Sequence, residues 1–580
     1  MDGRCARATP GRIPYGGDMI FDADRPWVRS YADGVSADIP PVIGSLVDMV
    51  ERSIQRHAKA VALEFFGRET TYREMGDHIS RAAEGLRRLG VRKGDRVALV
   101  LPNCPQHIVA FYAVLRLGAI VVEHNPLYTP RELRHQFEDH GARVVIAWNT
   151  VVGTIQDMPR DVPVDTIVSV DLPAAMPLAT RLKLRLPVPA ARRARAAITA
   201  PVEDTVTWEQ LVDHRRIAAS RPKPELDDVA ILQYTSGTTA SPKGAILTHR
   251  NLHANAMQGR AWVPGLADGG ETVYGVLPMF HAYGLTLCLT FAMAIGARLV
   301  LFPKFDVDLV LAAARKHPPT FLPAVPPIYE RLARGAKEKR VDLTGVRFAI
   351  SGAMNLPVST VELWEGLTGG YLVEGYGLTE TSPVALGNPI GPSRRPGTVG
   401  VPFPSTEVRV VDPEDPDVDR APGEEGELLI RGPQVFQGYW RRPDETRAAL
   451  LDGGWFRMGD IVRVDADGFT TIVDRMKELI ITGGFNVSPS EVEDVVRGAP
   501  GVQGVAVVGL PSADGGEDVT AAVVLDPGAR LDEAAIRAYC REHLTAYKVP
   551  RRVVRVDALP TSLIGKVLRR QVREDLQREG

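Results

Sequence analysis

The alternation of short apolar runs with helix-length periodic segments constrains this chain more than any other feature. Apolar runs at residues 60–66, inside GDRVALVLPN, at 119–123 and at 142–147 are separated by periodic segments at 106–117 and 130–140. A second unit repeats the pattern, with runs at 297–302, 320–325 and 348–351 and helical segments near 307–316 and 327–334. Antiparallel neighbours need only a short turn, whereas parallel strands need a crossover of about a dozen residues, usually a helix. The spacing therefore predicts parallel strands with helices on both faces.

The texture changes after residue 397. Segments such as TEVRVVD, GELLIRG and GFTTIVD, with proline and glycine turns between them, predict a small antiparallel sheet or β-barrel. Past Arg475 helices (489–497, 532–544) and strands (502–508, 519–524, 552–555) alternate again and predict an independent small α+β domain. At 580 residues the chain exceeds one core and suggests about three or four compact units. The expected organisation is α/β and α+β multidomain. Residues 1–25 form a disordered extension without a secretory signal; residues 26–475 form a large domain of two alternating α/β subdomains plus the β-rich part from about 397. A small mobile domain follows at 476–580.

Sixty-nine basic against 71 acidic residues give no drive toward nucleic acid. Cys5, Cys104, Cys288 and Cys540 lie far apart, which fits reduced thiols in cytosol and argues against a disulfide framework or a zinc site. The longest uncharged run, 282–297, is shorter than the roughly 18–20 residues of a membrane span, so a buried helix is expected. Between 171 and 201 the alternation breaks, and RLKLRLPVPAARRARAA carries six basic residues and no acid. It reads either as a solvated surface loop or as a patch (181–195) for anionic lipid or an anionic amphiphile.

Residues 234–249 read YTSGTTASPKGAILTH. Hydroxyls at Thr235, Ser236, Thr238 and Thr239 around Gly237, then Lys243 and Gly244, suit a polyphosphate: small residues let backbone amides approach and a lysine supplies charge. Pro242 breaks the spacing of the common kinase and GTPase loop. Apolar flanks at 229–235 and 245–248 predict a link between two strands.

In order along the chain stand YTSGTTASPKG, PMFHAYGL, EGYGLTET, MGDIVRVDADGFTTIVDR and the pair Gly565 and Lys566. Together they resemble the adenylate-forming acyl-CoA synthetase superfamily, over about 26–570. NPLYTPRELRHQFED, THRNL, GYWRRPDET and GFNVSPSEVEDVV look closest to bacterial long-chain fatty-acid-CoA ligases. The resemblance implies ATP, Mg²⁺ and coenzyme A, with a fatty acid as the acyl donor. It implies that 235–244 hold the β and γ phosphates, that Glu380 with Thr235 ligates Mg²⁺, and that Thr379 lies near the α-phosphate. Gly352, Ala353, Glu374 and Gly375–Gly377 belong to the nucleotide set, with Tyr376 against adenine. Asp460, placed in the turn of MGD, and Arg475 resemble the ribose ligands; a carboxylate accepting two adjacent hydroxyls is a sensible ribose reader. Lys566, on a flexible segment, resembles the adenylation lysine, suited to a transferring phosphate. His281, read at a strand end, resembles the histidine between acyl pocket and thioester tunnel. Gly483, Gly484 and Phe485 resemble the pantetheine path, and Lys477 the hinge.

Three positions depart from that pattern: Ala240 replaces a glycine, TSLI precedes Gly565 where a lysine-threonine pair is usual, and GAM at 352–354 varies a small-residue run. The resulting expectation is an ATP- and Mg²⁺-dependent acid–thiol ligase making acyl-CoA. A carrier-loading acyl-AMP ligase, a ligase for a medium-chain or aryl acid, and a nucleotide-gated acyl sensor stay as alternatives. A cytoplasmic protein is expected, peripheral at the inner face of the membrane if the 181–195 patch binds lipid, with a homodimer left open.

Overall fold

The computed structural model describes residues 25–235, 242–482, 485–512, 517–544, 546–562 and 565–579. The extension read as 1–25 lies outside them apart from Arg25, as does Ala240. The first alternating unit forms a seven-stranded sheet whose spatial order is Val206–Thr207, Thr166–Val170, Val144–Trp148, Arg96–Val100, Ile120–Glu123, Val229–Tyr234, Gly244–Thr248. Every pairing in it is parallel except the last, an antiparallel hairpin. The second unit forms a nine-stranded sheet, which also takes in the run at 60–66 that the spacing groups with the first unit, because Val61–Phe65 pairs with Arg298–Leu301. Its parallel centre runs Tyr371–Gly377, Phe348–Ser351, Phe321–Ala324, Thr272–Gly275, Arg298–Leu301, Val61–Phe65, with antiparallel strands added at both edges. Helices on both faces bury these strands, which is why they read as continuous apolar runs. Several helices start on reciprocal caps: Ser45, Thr71, Thr129 and Thr248 each accept the third amide of the following helix.

Residues 397–475 resolve as a four-stranded antiparallel sheet, Glu407–Val411, Glu425–Arg431, Phe456–Val464 and Thr470–Arg475, in sequential order. No pairing among the described residues closes it into a barrel. One apolar core joins this sheet to the two large ones. The C-terminal unit packs Val502–Pro511, Glu517–Leu525 and Arg552–Arg555 as a three-stranded sheet with separate apolar clusters on its two faces.

Several expectations need correction. Residues 178–196 are two short helices, Leu178–Leu184 and Pro189–Ala196, instead of a loop; leucine, alanine and arginine favour helix, and the prolines at 187 and 189 divide it. The buried helix at 282–297 is present but changes pitch, with a π segment at Leu285–Thr290 between two α turns. Asp460 lies inside Phe456–Val464, paired with Arg475, and is not in a turn; only Gly459 before it takes positive φ. His281 stands six residues beyond the end of Thr272–Gly275, at the start of the helix. Helices His249–Trp262 and Arg569–Glu579 were not foreseen. The three described cysteines are free and buried, and no described helix is long and apolar enough to cross a membrane.

Candidate functional site

The antiparallel hairpin Val229–Tyr234 and Gly244–Thr248 ends the seven-stranded sheet, and the Thr235 amide closes its tip by donating to the Lys243 carbonyl at 2.9 Å. Ser236, Gly237, Thr238 and Thr239 lie outside the described residues. The outer edge of the hairpin would expose unpaired backbone groups. Residues 437–440 cover it: the Ile246 amide donates to the Gly438 carbonyl at 2.9 Å and the Trp440 amide to the Gly244 carbonyl at 2.8 Å.

That edge pairing carries Tyr439 into the site. Its hydroxyl donates to Glu380 Oε1 at 2.8 Å, and the Lys243 ammonium sits 5.0 Å from the centre of its ring. The preceding residue but two, Phe436, donates its amide to the Glu380 carbonyl at 2.8 Å. Lys243 also pairs with Glu445. Tyr439 and Glu445 belong to GYWRRPDET, a phrase that carried family resemblance but to which sequence reading assigned no role.

Glu380 sits in a single 3-10 turn, Thr379–Thr381, just past the strand Tyr371–Gly377. The turn demands glycine: a Cβ on Gly377 would stand 1.8 Å from the Pro383 carbonyl oxygen. A Cβ on Gly352 would meet the Tyr283 ring at 3.1 Å and the Gly375 carbonyl at 3.2 Å, so these two strand ends pass in near contact. Ala353 takes φ +66°, a left-handed conformation costing a non-glycine residue roughly 1 kcal/mol. Glu374 is engaged structurally, accepting from Asn388 Nδ2 at 2.8 Å and the Gly397 amide at 3.1 Å.

A second cluster adjoins the first. The Tyr376 hydroxyl donates to Asp460 Oδ2, and Arg475 Nε lies 3.2 Å from Asp460 Oδ1. A carboxylate offers about four acceptor sites, so two remain on Asp460 for a ligand diol. Lys566 arrives from the C-terminal unit into the field of Arg475, Glu478 and Asp460. Gly565 before it takes φ +82°, and its backbone passes Met354 and Pro327 of the nine-stranded unit. Arg475 pairs with Asp460, and its charge is also felt at Glu380 and Lys566.

Burial raises the carboxyl groups of Glu380 and Asp460 above their usual range; the Tyr439 hydroxyl opposes this at Glu380, and Arg475 and Tyr376 oppose it at Asp460. Burial also lowers the Lys566 ammonium, with Arg475 acting the same way and Glu478 and Asp460 against it. Three cations, Lys243, Arg475 and Lys566, thus bracket two buried acids, an arrangement suited to a polyanion and a second anion held together.

Two side chains from the other sheet fix the approach to His281. Asn103 Nδ2 donates to the Gly275 and Leu277 carbonyls at 2.9 and 2.7 Å, and Gln233 Nε2 donates to the Phe280 carbonyl at 2.7 Å. Burial pushes the His281 imidazole down to about 4, so it is neutral at physiological pH. The Tyr283 hydroxyl bonds the Ile350 and Ala324 carbonyls at 2.7 and 3.0 Å and walls the space beneath Gly352. Lys477 lies in the turn Met476–Glu478, and Phe485 begins the strand Phe485–Val487; Gly483 and Gly484 fall outside the described residues.

The family model described as AMP-binding enzyme matches residues 50–440, and that of the AMP-binding enzyme C-terminal domain matches 491–566. A long-chain-fatty-acid–CoA ligase of Bacillus subtilis (strain 168) is 36% identical over 566 residues, covering 96% of this chain and 99% of that protein. A feruloyl-CoA synthase of Amycolatopsis sp is 35% identical, covering 89% and 95%. The ATP-bound structure of MatB from Rhodopseudomonas palustris is 30% identical with a TM-score of 0.77, covering 92% of this chain and 99% of that one. The chain belongs to the AMP-binding enzyme family.

Proposed function

We propose that this enzyme activates a long-chain fatty acid with ATP and transfers the acyl group to coenzyme A. In the first step a carboxylate oxygen bonds the α-phosphorus of ATP while the bond to the β-phosphate oxygen breaks, releasing pyrophosphate. In the second a thiolate bonds the acyl carbon and AMP leaves. The observation that carries this reading is the arrival of Lys566, from the C-terminal unit, in the field of the Asp460–Arg475 pair, whose guanidinium charge is also felt at Glu380. Lys566 places a localised charge where two anions must approach each other.

Lys243, with the hairpin tip, takes the β and γ phosphates; Asp460 and Arg475 take the ribose hydroxyls; Tyr376 and the backbone at 352–353 border the base. Glu380, a buried carboxylate with one hydrogen bond to Oε1, has the chemistry of a Mg²⁺ ligand beside Thr379. Mg²⁺ held there supplies neutralising charge to the phosphates. The C-terminal unit turns about Lys477 between the two steps, bringing 483–485 to line the pantetheine path with His281 neutral beside it.

The similarity to a feruloyl-CoA synthase supports an aryl acid as the second reading. Fatty-acid-dependent pyrophosphate release, followed by CoA-dependent AMP release, across a panel of acids separates the cases. Release with long-chain acids supports the proposal, and release with aryl acids alone replaces the substrate. Adenylation that CoA does not discharge indicates a carrier protein as acceptor, and ligand binding without pyrophosphate indicates a sensor.

We also propose that residues 178–196 bind an anionic membrane surface from the cytoplasmic side. Leu178, Leu182, Leu186 and Val188 are 67, 55, 51 and 46% exposed amid six basic residues, apolar and cationic groups on one excursion from the sheet. Co-sedimentation with anionic vesicles should fall on charge reversal of Arg192 and Arg193; unchanged binding refutes the role.

A further inference from the structure

Asp474 precedes Arg475 at the end of Thr470–Arg475, and its side chain is 2% exposed. Its one bond toward the nucleotide cluster is to a backbone amide, that of the adjoining Arg475. Its oxygens face the C-terminal unit instead: Oδ2 accepts from Ser488 Oγ at 2.6 Å and from the Ser490 amide at 2.9 Å. Oδ1 accepts from the Arg475 amide at 2.7 Å and lies 3.4 Å from Arg569 Nη1. Ser488 and Ser490 begin the helix Pro489–Arg497, so a buried anion sits where the positive end of that helix favours it. Arg569 lies three residues past Lys566 and is itself fixed by Glu493 and Ser490 at 2.8 and 2.6 Å, and by Glu478.

The chain crosses from one unit to the other at 475–478. Asp474 is therefore on the near side of that crossing, and Ser488, Ser490 and Arg569 are on the far side. We propose that Asp474 is a positioning residue for the adenylation step, a latch that holds the C-terminal unit where Lys566 reaches Asp460 and Arg475. The proposal rests on the reading of Lys477 as hinge and Lys566 as adenylation lysine. Rotation of the unit about Lys477 breaks the contacts of Asp474 with Ser488, Ser490 and Arg569 and keeps its bond to the adjoining Arg475 amide, whereas the bonds of Arg569 to Glu493, Ser490 and Glu478 lie beyond the hinge and move with the unit. Asp474 thus favours the first half-reaction and is released for the second.

Asp474→Asn removes the charge while keeping the shape, and Arg569→Lys keeps a cation without the planar fork. Fatty-acid-dependent ATP–pyrophosphate exchange should fall about tenfold or more in Asp474→Asn, because a buried charge pair loses one member. Acyl-CoA formation from supplied acyl-AMP should stay within about twofold or rise. Arg569→Lys should lie between wild type and Asp474→Asn. A structural role alone lowers both half-reactions by one factor, and that result overturns the proposal. Trypsin cleavage after Lys477, measured without substrates, should accelerate in Asp474→Asn; an unchanged rate also overturns it. Because cleavage needs no turnover, a failure of the ligase reading, seen as no exchange in the wild type, is distinguishable from a failure of the latch.

Discussion

Tyr439→Phe isolates one hydrogen bond. The ring that Lys243 faces at 5.0 Å is retained, and only the hydroxyl that donates to Glu380 at 2.8 Å is lost. A hydrogen bond to a charged group is worth about 1.5–3 kcal/mol, and one pKa unit corresponds to about 1.4 kcal/mol. Burial already raises the Glu380 carboxyl group and this bond restrains the rise. Its loss should therefore lift that carboxyl group further. The acidic limb of fatty-acid-dependent ATP–pyrophosphate exchange, followed from about pH 5 to 9, should move to higher pH. The sign for stability follows: a carboxyl group raised in the folded state costs stability when ionised, so the variant should melt lower at pH 8 and recover as pH falls. A uniform drop in rate with an unmoved limb would refute the assignment of Tyr439 as the partner that keeps Glu380 ionised.

Gly377→Ala places a methyl group 1.8 Å from the Pro383 carbonyl oxygen, a contact relieved only by moving backbone. It should cost about 1–3 kcal/mol of stability and raise the KM for ATP by displacing Thr379 and Glu380, checked by melting temperature and steady-state kinetics. Burial holds His124 and His249 at about 4 and His140 well below its usual value. The unfolded chain protonates these groups near 6.5 and the folded one does not, so stability should fall as pH drops from about 6.5 toward 4. Each of the three contributes up to about 1.4 kcal/mol per pH unit in urea titrations.

Element order was legible because apolar runs and helical periods survive in the parallel units. What escaped depends on pairing between distant segments. Asp460 reads as a turn residue beside Gly459, yet its strand is defined by partners in Glu425–Arg431 and Thr470–Arg475. Tyr439 carries no periodicity; it enters the site only because 437–440 cover the edge of a hairpin far away in sequence, at 244–246. The left-handed Ala353 is invisible in composition, since alanine gives no sign of positive φ. Glu380, Lys566 and Arg475 were found through motif order and not through chemistry alone, because an isolated acid or lysine looks like any solvated side chain.

The most direct test of the account separates the two half-reactions in Lys566→Ala. In single-turnover assays acyl-AMP formation from fatty acid and ATP should fall about a hundredfold or more, while acyl-CoA formation from supplied acyl-AMP stays within about threefold of wild type. Equal loss of both steps, or adenylation at the wild-type rate, would contradict the role assigned to the lysine that the C-terminal unit brings to Asp460 and Arg475.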